Sequence, residues 1–206
     1  LCENLKKIGV NINTIPVLDV LRKTTSKIIG KRSFSNDKKI IKKLGEITVK
    51  KCRSLNIATV IKHIPGHGCS SVDSHLSLPI VKLSEKELNK KDFYPFKSSS
   101  AKIAMTAHIL YSKVDKINVC TFSSKIIKKI IRNKIGFKGI LMSDDISMKA
   151  LSYDLVTNAN KSLAAGCNLV LYCAGNIKDN LKLIKSVPYI DKFTAKKTSE
   201  IYKILR

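Results

Sequence analysis

Short, nearly continuous apolar runs alternate along this chain with segments whose apolar residues recur at helical spacing, as in residues 37–55 and 121–137. Parallel strands buried on both faces have this apolar character and need helical crossovers, so the order predicts repeated β-α units around one parallel sheet. Two architectures share that order, an open doubly wound sheet and a (β/α)8 barrel. We expect strands at residues 10–20, 57–64, 101–110, 138–146 and 167–173.

The ends of the predicted strands favour the barrel. Ionisable side chains fall at the carboxyl ends of nearly all of them: Asp19, Lys62, His63, His108, Asp144 and Asp145. In a barrel these ends converge on one mouth, whereas an open sheet brings only the loops at its switch point to a site. A complete barrel takes ~250 residues, more than this chain has. We therefore predict an α/β fold of the (β/α)8 TIM-barrel type, incomplete at its N-terminal side, as one partial catalytic domain over residues 1–206.

The charge of the chain is strongly positive. A net charge of +24, from 39 Lys and Arg against 15 Asp and Glu, is typical of proteins that bind nucleic acid or anionic surfaces. However, the lysines are spread along the chain and are not interleaved with aromatic residues, which favours solvated helix faces. Arginine, the preferred side chain for phosphate and base recognition, occurs only at Arg22, Arg32, Arg53, Arg132 and Arg206. We expect no specific nucleic-acid partner.

Hydropathy and cysteine usage bear on the compartment. No apolar run approaches the ~18 residues of a membrane-spanning helix, and no signal-peptide pattern is visible. The chain has 6 cysteines without a CxxC pair, and most lie beside apolar runs, as buried free thiols do. This usage suits a reducing compartment and disfavours a zinc ribbon. We expect a cytoplasmic monomer without a membrane span.

The segment KHIPGHGCSSVDSH, residues 62–75, holds most of the 4 histidines of the chain. His63 and His67 are four apart, but Pro65 and Gly66 between them argue against the helix on which a metal-binding pair of that spacing would lie. A phosphate loop is disfavoured as well, because the GxxxxGK[ST] spacing is absent. A metal site remains possible on composition and is not favoured.

Acid–base chemistry is the remaining interpretation of this segment. Asp73 and His75 are separated by one residue, so in an extended loop their side chains point the same way. A carboxylate beside a histidine fixes its tautomer and raises its basicity, which suits a proton shuttle. A second group, Asp144 and Asp145, closes another predicted strand. One of these carboxylates could be a nucleophile while its neighbour, for which we favour Asp145, supports the scaffold.

These residues also carry a resemblance to a known family. KHIPGHGCSSVDSHLSLP, residues 62–79, resembles the K-H-F-P-G-H-G-x4-D-S-H-x3-P signature of the β-N-acetylhexosaminidases in glycoside hydrolase family 3. Those bacterial enzymes remove N-acetylglucosamine from muropeptides during peptidoglycan recycling. The blocks PVLDV, GKRSFSND, MTAHILY, GFKGILMSDDISMKAL and AAGCNLVLYC agree in the same order, so the resemblance covers residues 5–173 or thereabouts.

The resemblance implies a (β/α)8 barrel and a retaining mechanism that needs no metal or other cofactor. The family's aspartate nucleophile matches Asp144, and its acid/base histidine matches His75, partnered by Asp73. This pairing differs from the two carboxylates of most glycosidases. The family's sugar-binding positions match Arg32, Lys62 and His63. The implied substrate is an N-acetylglucosamine-containing muropeptide or glycan.

The chain also departs from the family pattern. Nothing matches the family's earlier D-Q-E-G-G-R-V-type block, which supplies part of the sugar clamp, and Asn168 replaces the aspartate of A-G-C-D. Two functions from different classes therefore stand: a retaining β-N-acetylglucosaminidase, or a non-catalytic remnant or basic binding domain of the same fold. Phosphorolysis in place of hydrolysis is open. Asp19 and His108 are candidates for the site wall or for structural roles, and we expect His67 to hydrogen-bond the loop backbone.

Overall fold

The structure, a computed structural model, describes residues 1–205 and contains a sheet of 5 strands, all paired in parallel. Two further short strands pair with each other in parallel beside it. In chain order the strands are β1 (Ile12–Asn13), β2 (Ala58–Ile64), β3 (Ile80–Val81), β4 (Ile103–Thr106), β5 (Leu110–Tyr111), β6 (Ile140–Asp145) and β7 (Leu169–Leu171). The main sheet comprises β1, β2, β4, β6 and β7, and β3 pairs with β5.

The order of the strands decides between the two predicted architectures. Neighbours in the main sheet follow the chain, β1-β2-β4-β6-β7, so the order never reverses and the sheet has no switch point. A sheet that grows in one direction and curls is the geometry of a barrel segment. The α/β prediction is confirmed at this level, as a curled parallel half-barrel. A closed eight-stranded barrel is not formed by residues 1–205.

The first predicted strand is shorter than expected. Only Ile12–Asn13 forms a regular ladder with β2, and Val17 adds an isolated parallel bridge to Lys62. The reason is Pro16, whose nitrogen has no hydrogen to donate to a ladder. The chain nevertheless follows β2, because Leu18 N donates to the Lys62 carbonyl at 2.7 Å and Lys62 N donates to the Pro16 carbonyl at 3.2 Å. Residues 15–20 thus run beside the end of β2.

Helices cover the outer face of the sheet. In β2, Ile61 and Ile64 are buried in the same cluster as Ile41 of α2 (Lys38–Arg53) and Leu88 of α3 (Glu85–Lys91), and the strand is irregular between Lys62 and Ile64. Ser84 and Glu87 form a capping box at the start of α3, in which each side chain accepts a hydrogen bond from the backbone N–H of the other residue. The helices are α1 (Cys2–Lys7), α2 (Lys38–Arg53), α3 (Glu85–Lys91), a π-helix (Ile126–Lys134), α4 (Leu155–Ala165), α5 (Ile177–Ser186) and α6 (Lys192–Leu205).

The last helix closes the amino ends of the strands. Ile201 of α6 packs against Ala58, Ile103 and Ile140, which are the first residues of β2, β4 and β6. Near the start of α6, Thr194 accepts a hydrogen bond from Asn168 Nδ2 at 2.9 Å, just before β7. Because α6 lies at the amino ends, the carboxyl ends of the strands stay open. Within residues 1–205 no helix is both long enough and apolar enough to cross a membrane.

A matched pair of substitutions in α2 tests the outer core. Ile41 is 0% exposed, whereas Ile47 on the same helix is 53% exposed. Ile41→Ala is expected to lower the free energy of unfolding by about 2–5 kcal/mol because it leaves a cavity. The same change at Ile47 should cost no more than about 0.5 kcal/mol. Urea unfolding followed by circular dichroism measures both, and equal losses would contradict this packing.

Candidate active site

The candidate site lies at the carboxyl ends of β2 and β6, which flank β4 in the main sheet. Lys62 and His63 stand near the end of β2, and Asp144 stands near the end of β6. His63 Nε2 is 3.8 Å from Asp144 Oδ2, which joins the two strand ends across the sheet. The expectation that these side chains share one mouth agrees with this geometry.

Asp19 lies behind His63 and organises this corner of the site. Its fully buried carboxylate accepts the ring N–H of His63 at 2.7 Å and the backbone N–H of His67 at 2.6 Å, and it faces the backbone N–H of His63 at 3.3 Å. Burial raises the pKa of Asp19, but the charge of His63 and the hydrogen bonds from His63 and His67 outweigh it, and the pKa lies below its usual value. With Nδ1 bound to Asp19, the Nε2 atom of His63 is turned toward Asp144.

Asp144 is suited to remain ionised. Burial raises the pKa of its carboxyl, but the charge of His63, the N–H of Asp145 and the charge of Lys62 together bring it below the usual value. The N–H of Asp145 donates to Asp144 Oδ1 at 2.9 Å, which orients the carboxylate. An oriented, ionised carboxylate in a half-buried position can act as a nucleophile or stabilise a developing positive charge.

Lys62 lies close enough to Arg32 and to Asp144 for both charges to affect it. Lys62 Nζ donates to Thr14 Oγ1 at 3.2 Å, and burial followed by the charge of Arg32 lowers the pKa of this lysine, against the opposing effect of Asp144. Arg32 is exposed, and its Nε donates to the Ile28 carbonyl at 2.7 Å. Both predicted sugar-binding cations are thus within electrostatic reach of each other, and Lys62 is also within reach of Asp144.

Sequence reasoning missed Cys173 as a member of this mouth. It follows β7, is exposed, and its backbone N–H donates to Asp145 Oδ1 at 3.3 Å. Burial and the neighbouring charges of Asp145 and Asp144 raise its pKa, so the thiol stays protonated. The available signal was its position at the end of the predicted strand 167–173, where the other strands carry ionisable residues.

The predicted dyad is formed on the loop that follows β2. His75 Nδ1 lies 2.8 Å from Asp73 Oδ1, and the same oxygen accepts the His75 backbone N–H at 2.9 Å. This second bond closes a turn, so the contact arises from a turn and not from the extended loop that we expected. Burial raises the pKa of Asp73, but the hydrogen bonds and charge of His75 lower it further than burial raises it.

The dyad is held apart from the buried part of the mouth. The His75 side chain is 54% exposed, and its hydrogen bonds are to Asp73. The Ser74 carbonyl accepts a hydrogen bond from Ala150 N at 3.2 Å, which holds the loop against the segment that follows β6. The structure therefore brings Lys62, His63 and Asp144 together and carries Asp73 and His75 on an adjacent loop.

The root of this loop is fixed by hydrogen bonds to buried side chains. Tyr111 donates to the Gly66 carbonyl at 2.7 Å, and the Cys69 N–H donates at 2.9 Å to Asp92, which is paired with Arg22 at 2.6 Å. Gly66 has φ +136°, and a Cβ there would lie 2.6 Å from the Asp92 side chain. Only the tip that carries the dyad is exposed.

The two other histidines are buried. The ring nitrogens of His67 have no hydrogen-bond partner among residues 1–205, so the expected bond from this ring to the loop backbone is wrong. The His67 ring packs edge-on against the ring of His63, with centroids 5.8 Å apart. It is the backbone N–H of His67, and not its ring, that makes a hydrogen bond here, to Asp19. His108 lies between the Thr121 hydroxyl, at 2.7 Å from Nδ1, and the Asp145 carbonyl, at 3.0 Å from Nε2.

A parallel β-α half-barrel with carboxylate, imidazole and ammonium groups at the carboxyl ends of its strands is typical of TIM-barrel enzymes. The chain belongs to glycosyl hydrolase family 3: the model of the glycosyl hydrolase family 3 N terminal domain matches residues 1–199. The membership that the sequence motifs suggested is thereby confirmed.

Similar curated proteins carry the name Beta-hexosaminidase. One from Nitrosomonas eutropha is 36% identical over 178 residues, which cover 84% of this chain and 51% of the relative. Another from Shewanella frigidimarina is 34% identical over 180 residues, covering 84% of this chain and 52% of the relative. The chain thus spans about half the length of the curated relatives it matches.

Solved structures agree with this membership. NagZ from Neisseria gonorrhoeae, in complex with N-trifluoroacetyl-D-glucosamine, matches with a TM-score of 0.86 and 29% identity over 97% of this chain and 58% of that one. Zn-bound CbsA from Thermotoga neapolitana matches with a TM-score of 0.88 and 29% identity, covering 100% of this chain and 47% of that one. Within residues 1–205, no group of at least 3 His, Cys, Asp or Glu side chains is arranged to hold a metal ion.

The buried histidines predict how stability depends on pH. Burial lowers the pKa of His67 and of His108 below the ordinary 6.5, so both rings stay neutral in the folded protein while the unfolded chain takes up protons. The free energy of unfolding should therefore fall as the pH drops below about 6.5, by up to about 1.4 kcal/mol per pH unit for each ring. Urea unfolding between about pH 7.5 and about pH 5.5 measures the slope.

Asp19 and Asp144 do not add to this slope. The lowered pKa values of Asp19 and Asp144 contribute stability that is lost only below their ordinary value of 3.8. His67→Gln removes one of the two buried rings and should reduce the slope by roughly half. A free energy of unfolding that stays constant or rises toward acid pH would count against the burial of neutral rings.

Proposed function

We propose that this chain is the catalytic part of a retaining glycoside hydrolase that removes terminal β-linked N-acetylglucosamine. The observation that carries the proposal is the Asp144 carboxylate, which has a lowered pKa and lies 3.8 Å from His63 Nε2 at the open ends of the strands. An ionised carboxylate in this position can attack an anomeric carbon in line with its leaving group. The Beta-hexosaminidase names of the relatives support the sugar class.

In the first step Asp144 forms a bond to the anomeric carbon, and the bond to the departing oxygen breaks. That oxygen takes a proton from the imidazolium of His75. The Asp73 carboxylate, 2.8 Å from His75 Nδ1, accepts the N–H at that nitrogen and leaves the opposite nitrogen to transfer the proton. The product is a glycosyl-aspartate with the leaving group released.

In the second step neutral His75 accepts a proton from water, and the resulting oxygen attacks the anomeric carbon from the side that the leaving group vacated. The bond to Asp144 breaks, and its carboxylate is restored. Two displacements at one carbon retain the β configuration. Because the histidine returns to its charged form, the cycle closes without any cofactor.

The remaining mouth residues are assigned to binding and orientation. Lys62, His63 and Arg32 offer N–H donors to sugar hydroxyls on the side of the mouth that faces Asp144. Asp19 orients the His63 ring through the 2.7 Å bond to Nδ1, so it acts through that ring and not on the sugar. The His75 side chain is exposed at the tip of the loop, where a bound substrate can reach it, while hydrogen bonds hold the loop backbone at Gly66, Cys69 and Ser74.

We further propose muropeptides of peptidoglycan recycling as the substrate, hydrolysis in the cytoplasm, and a monomeric protein. The glucosamine ligand of the NagZ neighbour supports recognition of an N-acylated sugar. The alternative is a non-catalytic remnant or basic binding domain, in which the same residues persist without turnover. A direct activity assay separates the two.

Substitution of the proposed nucleophile is the first test. Asp144→Asn should lower kcat for p-nitrophenyl N-acetyl-β-glucosaminide by about 1,000-fold or more, because the amide cannot form the glycosyl ester. The assay follows p-nitrophenolate release from this chain and from the complete open reading frame that encodes it. Asp37→Asn is the matched control, because Asp37 only caps α2 and asparagine caps equally well. Wild-type protein without release, or Asp144→Asn with full activity, would reject the enzyme assignment.

Leaving groups of different acidity test the dyad. His75→Gln should lower kcat/KM for a methyl or sugar leaving group by about 100-fold or more, because such an oxygen needs protonation to depart. The loss of kcat/KM for a dinitrophenyl leaving group should be much smaller. Asp73→Asn should likewise lower kcat/KM more for the methyl or sugar leaving group than for the dinitrophenyl one. Leu76→Ala, at an exposed position of the same loop, is the control. Equal losses for both leaving groups would remove His75 from the role of general acid.

A further inference from the structure

A chain of hydrogen bonds runs beneath the mouth and ends beside Asp144. Thr106, at the end of β4, has its hydroxyl 2.9 Å from that of Thr121. Thr121 Oγ1 lies 2.7 Å from His108 Nδ1, and His108 Nε2 lies 3.0 Å from the carbonyl oxygen of Asp145. The side chains of Thr106, Thr121 and His108 are at most 1% exposed, so water does not compete for these bonds.

The Asp145 carbonyl at the end of this series of hydrogen bonds determines which group donates and which accepts at each step. A carbonyl oxygen can only accept, so Nε2 of His108 carries the hydrogen that points to Asp145. Burial lowers the pKa of His108, and the neutral ring then presents a lone pair at Nδ1. The Thr121 hydroxyl fills that position as donor, since its other acceptor, the Ala107 carbonyl, is farther away at 3.4 Å. Thr106 in turn donates to Thr121.

This series of hydrogen bonds reaches the carboxylate of Asp144 through the backbone of Asp145. The Asp145 carbonyl accepts from His108, while the N–H of the same residue donates to Asp144 Oδ1 at 2.9 Å. The side chain of Asp145 is held as well, by Ser147 and by the N–H of Cys173. A rotation of this segment would therefore move the hydrogen bond that orients Asp144.

We propose that Thr121 is a positioning residue: its hydroxyl holds the His108 ring, which fixes the Asp145 backbone and thereby the carboxylate of Asp144. The inference rests on the proposed role of Asp144 as the nucleophile. Thr121 itself lies beneath the mouth and touches no substrate. Its contribution is to keep one carboxylate in a single orientation during both displacements.

The test compares Thr121→Val, which keeps the shape and removes the hydroxyl, with Thr121→Ser, which keeps the hydroxyl. Long-range 1H–15N spectra of the wild type should show His108 protonated at Nε2 and hydrogen-bonded at unprotonated Nδ1. In Thr121→Val the Nδ1 resonance should move toward that of a nitrogen without a donor, and in Thr121→Ser it should not. A wild-type ring protonated at Nδ1 overturns the proposal without any activity measurement.

Kinetics supply the second readout. Thr121→Val should lower kcat by about tenfold to a hundredfold with little change in KM, because orientation and not binding is lost. The acid limb of its pH profile should move to higher pH, because the Asp145 N–H favours ionised Asp144. The groups that face this carboxylate are Lys62, His63, His108, Asp145 and Cys173. Thr121→Ser should restore both kcat and the acid limb.

The outcomes separate the two proposals. An active wild type with Thr121→Val and Thr121→Ser equally active overturns the positioning role alone. A wild type without hydrolysis overturns the proposed function and the catalytic part of this inference together. If Thr121→Val does not fold, Thr121→Cys replaces it: the thiol is a weak donor, so kcat should fall between the wild type and the hundredfold loss. Equality of Thr121→Cys with Thr121→Ser would again overturn the proposal.

Discussion

The buried carboxylate of Asp19 is the interaction on which the site depends. It gathers two backbone N–H groups and one ring N–H from His63 and His67, and it joins the segment after β1 to the end of β2. Burying the ionised carboxylate of Asp19, which has no exposure, would be strongly unfavourable without such donors. The backbone at His63 and His67 must therefore keep the conformation that directs its N–H groups to Asp19. The orientation of His63 toward Asp144 follows from that requirement.

The fold separates stability from chemistry along the strand direction. At the amino ends, Ile201 of α6 packs against the first residues of β2, β4 and β6. At the carboxyl ends, Lys62 and Asp144 are partly exposed, and the loop root at Gly66 is clamped by Tyr111 while the His75 side chain near the tip is exposed. The loop backbone is held at Gly66 and again at Ser74, so the exposed His75 ring is the part of this loop that can meet a substrate.

Much of the fold was predictable because it rests on local rules. Apolar runs identified four of the main strands, β2, β4, β6 and β7. The first strand was misjudged in length because the missing donor of Pro16 interrupts a ladder that apolar character alone suggests. The dyad of Asp73 and His75 was predictable as a pair, but its turn geometry was not, since a turn of this kind depends on one backbone hydrogen bond.

By itself, the sequence determined the class of the protein: the order of β-α units, the ionisable strand ends and the family motifs are all properties of neighbouring residues. Tertiary structure alone decided which distant groups meet. The contacts of His63 with Asp144, of Thr121 with His108 and of Cys173 with Asp145 join separate strands or loops. Such contacts depend on how the sheet curls and on which buried polar groups find partners, and no local spacing encodes either.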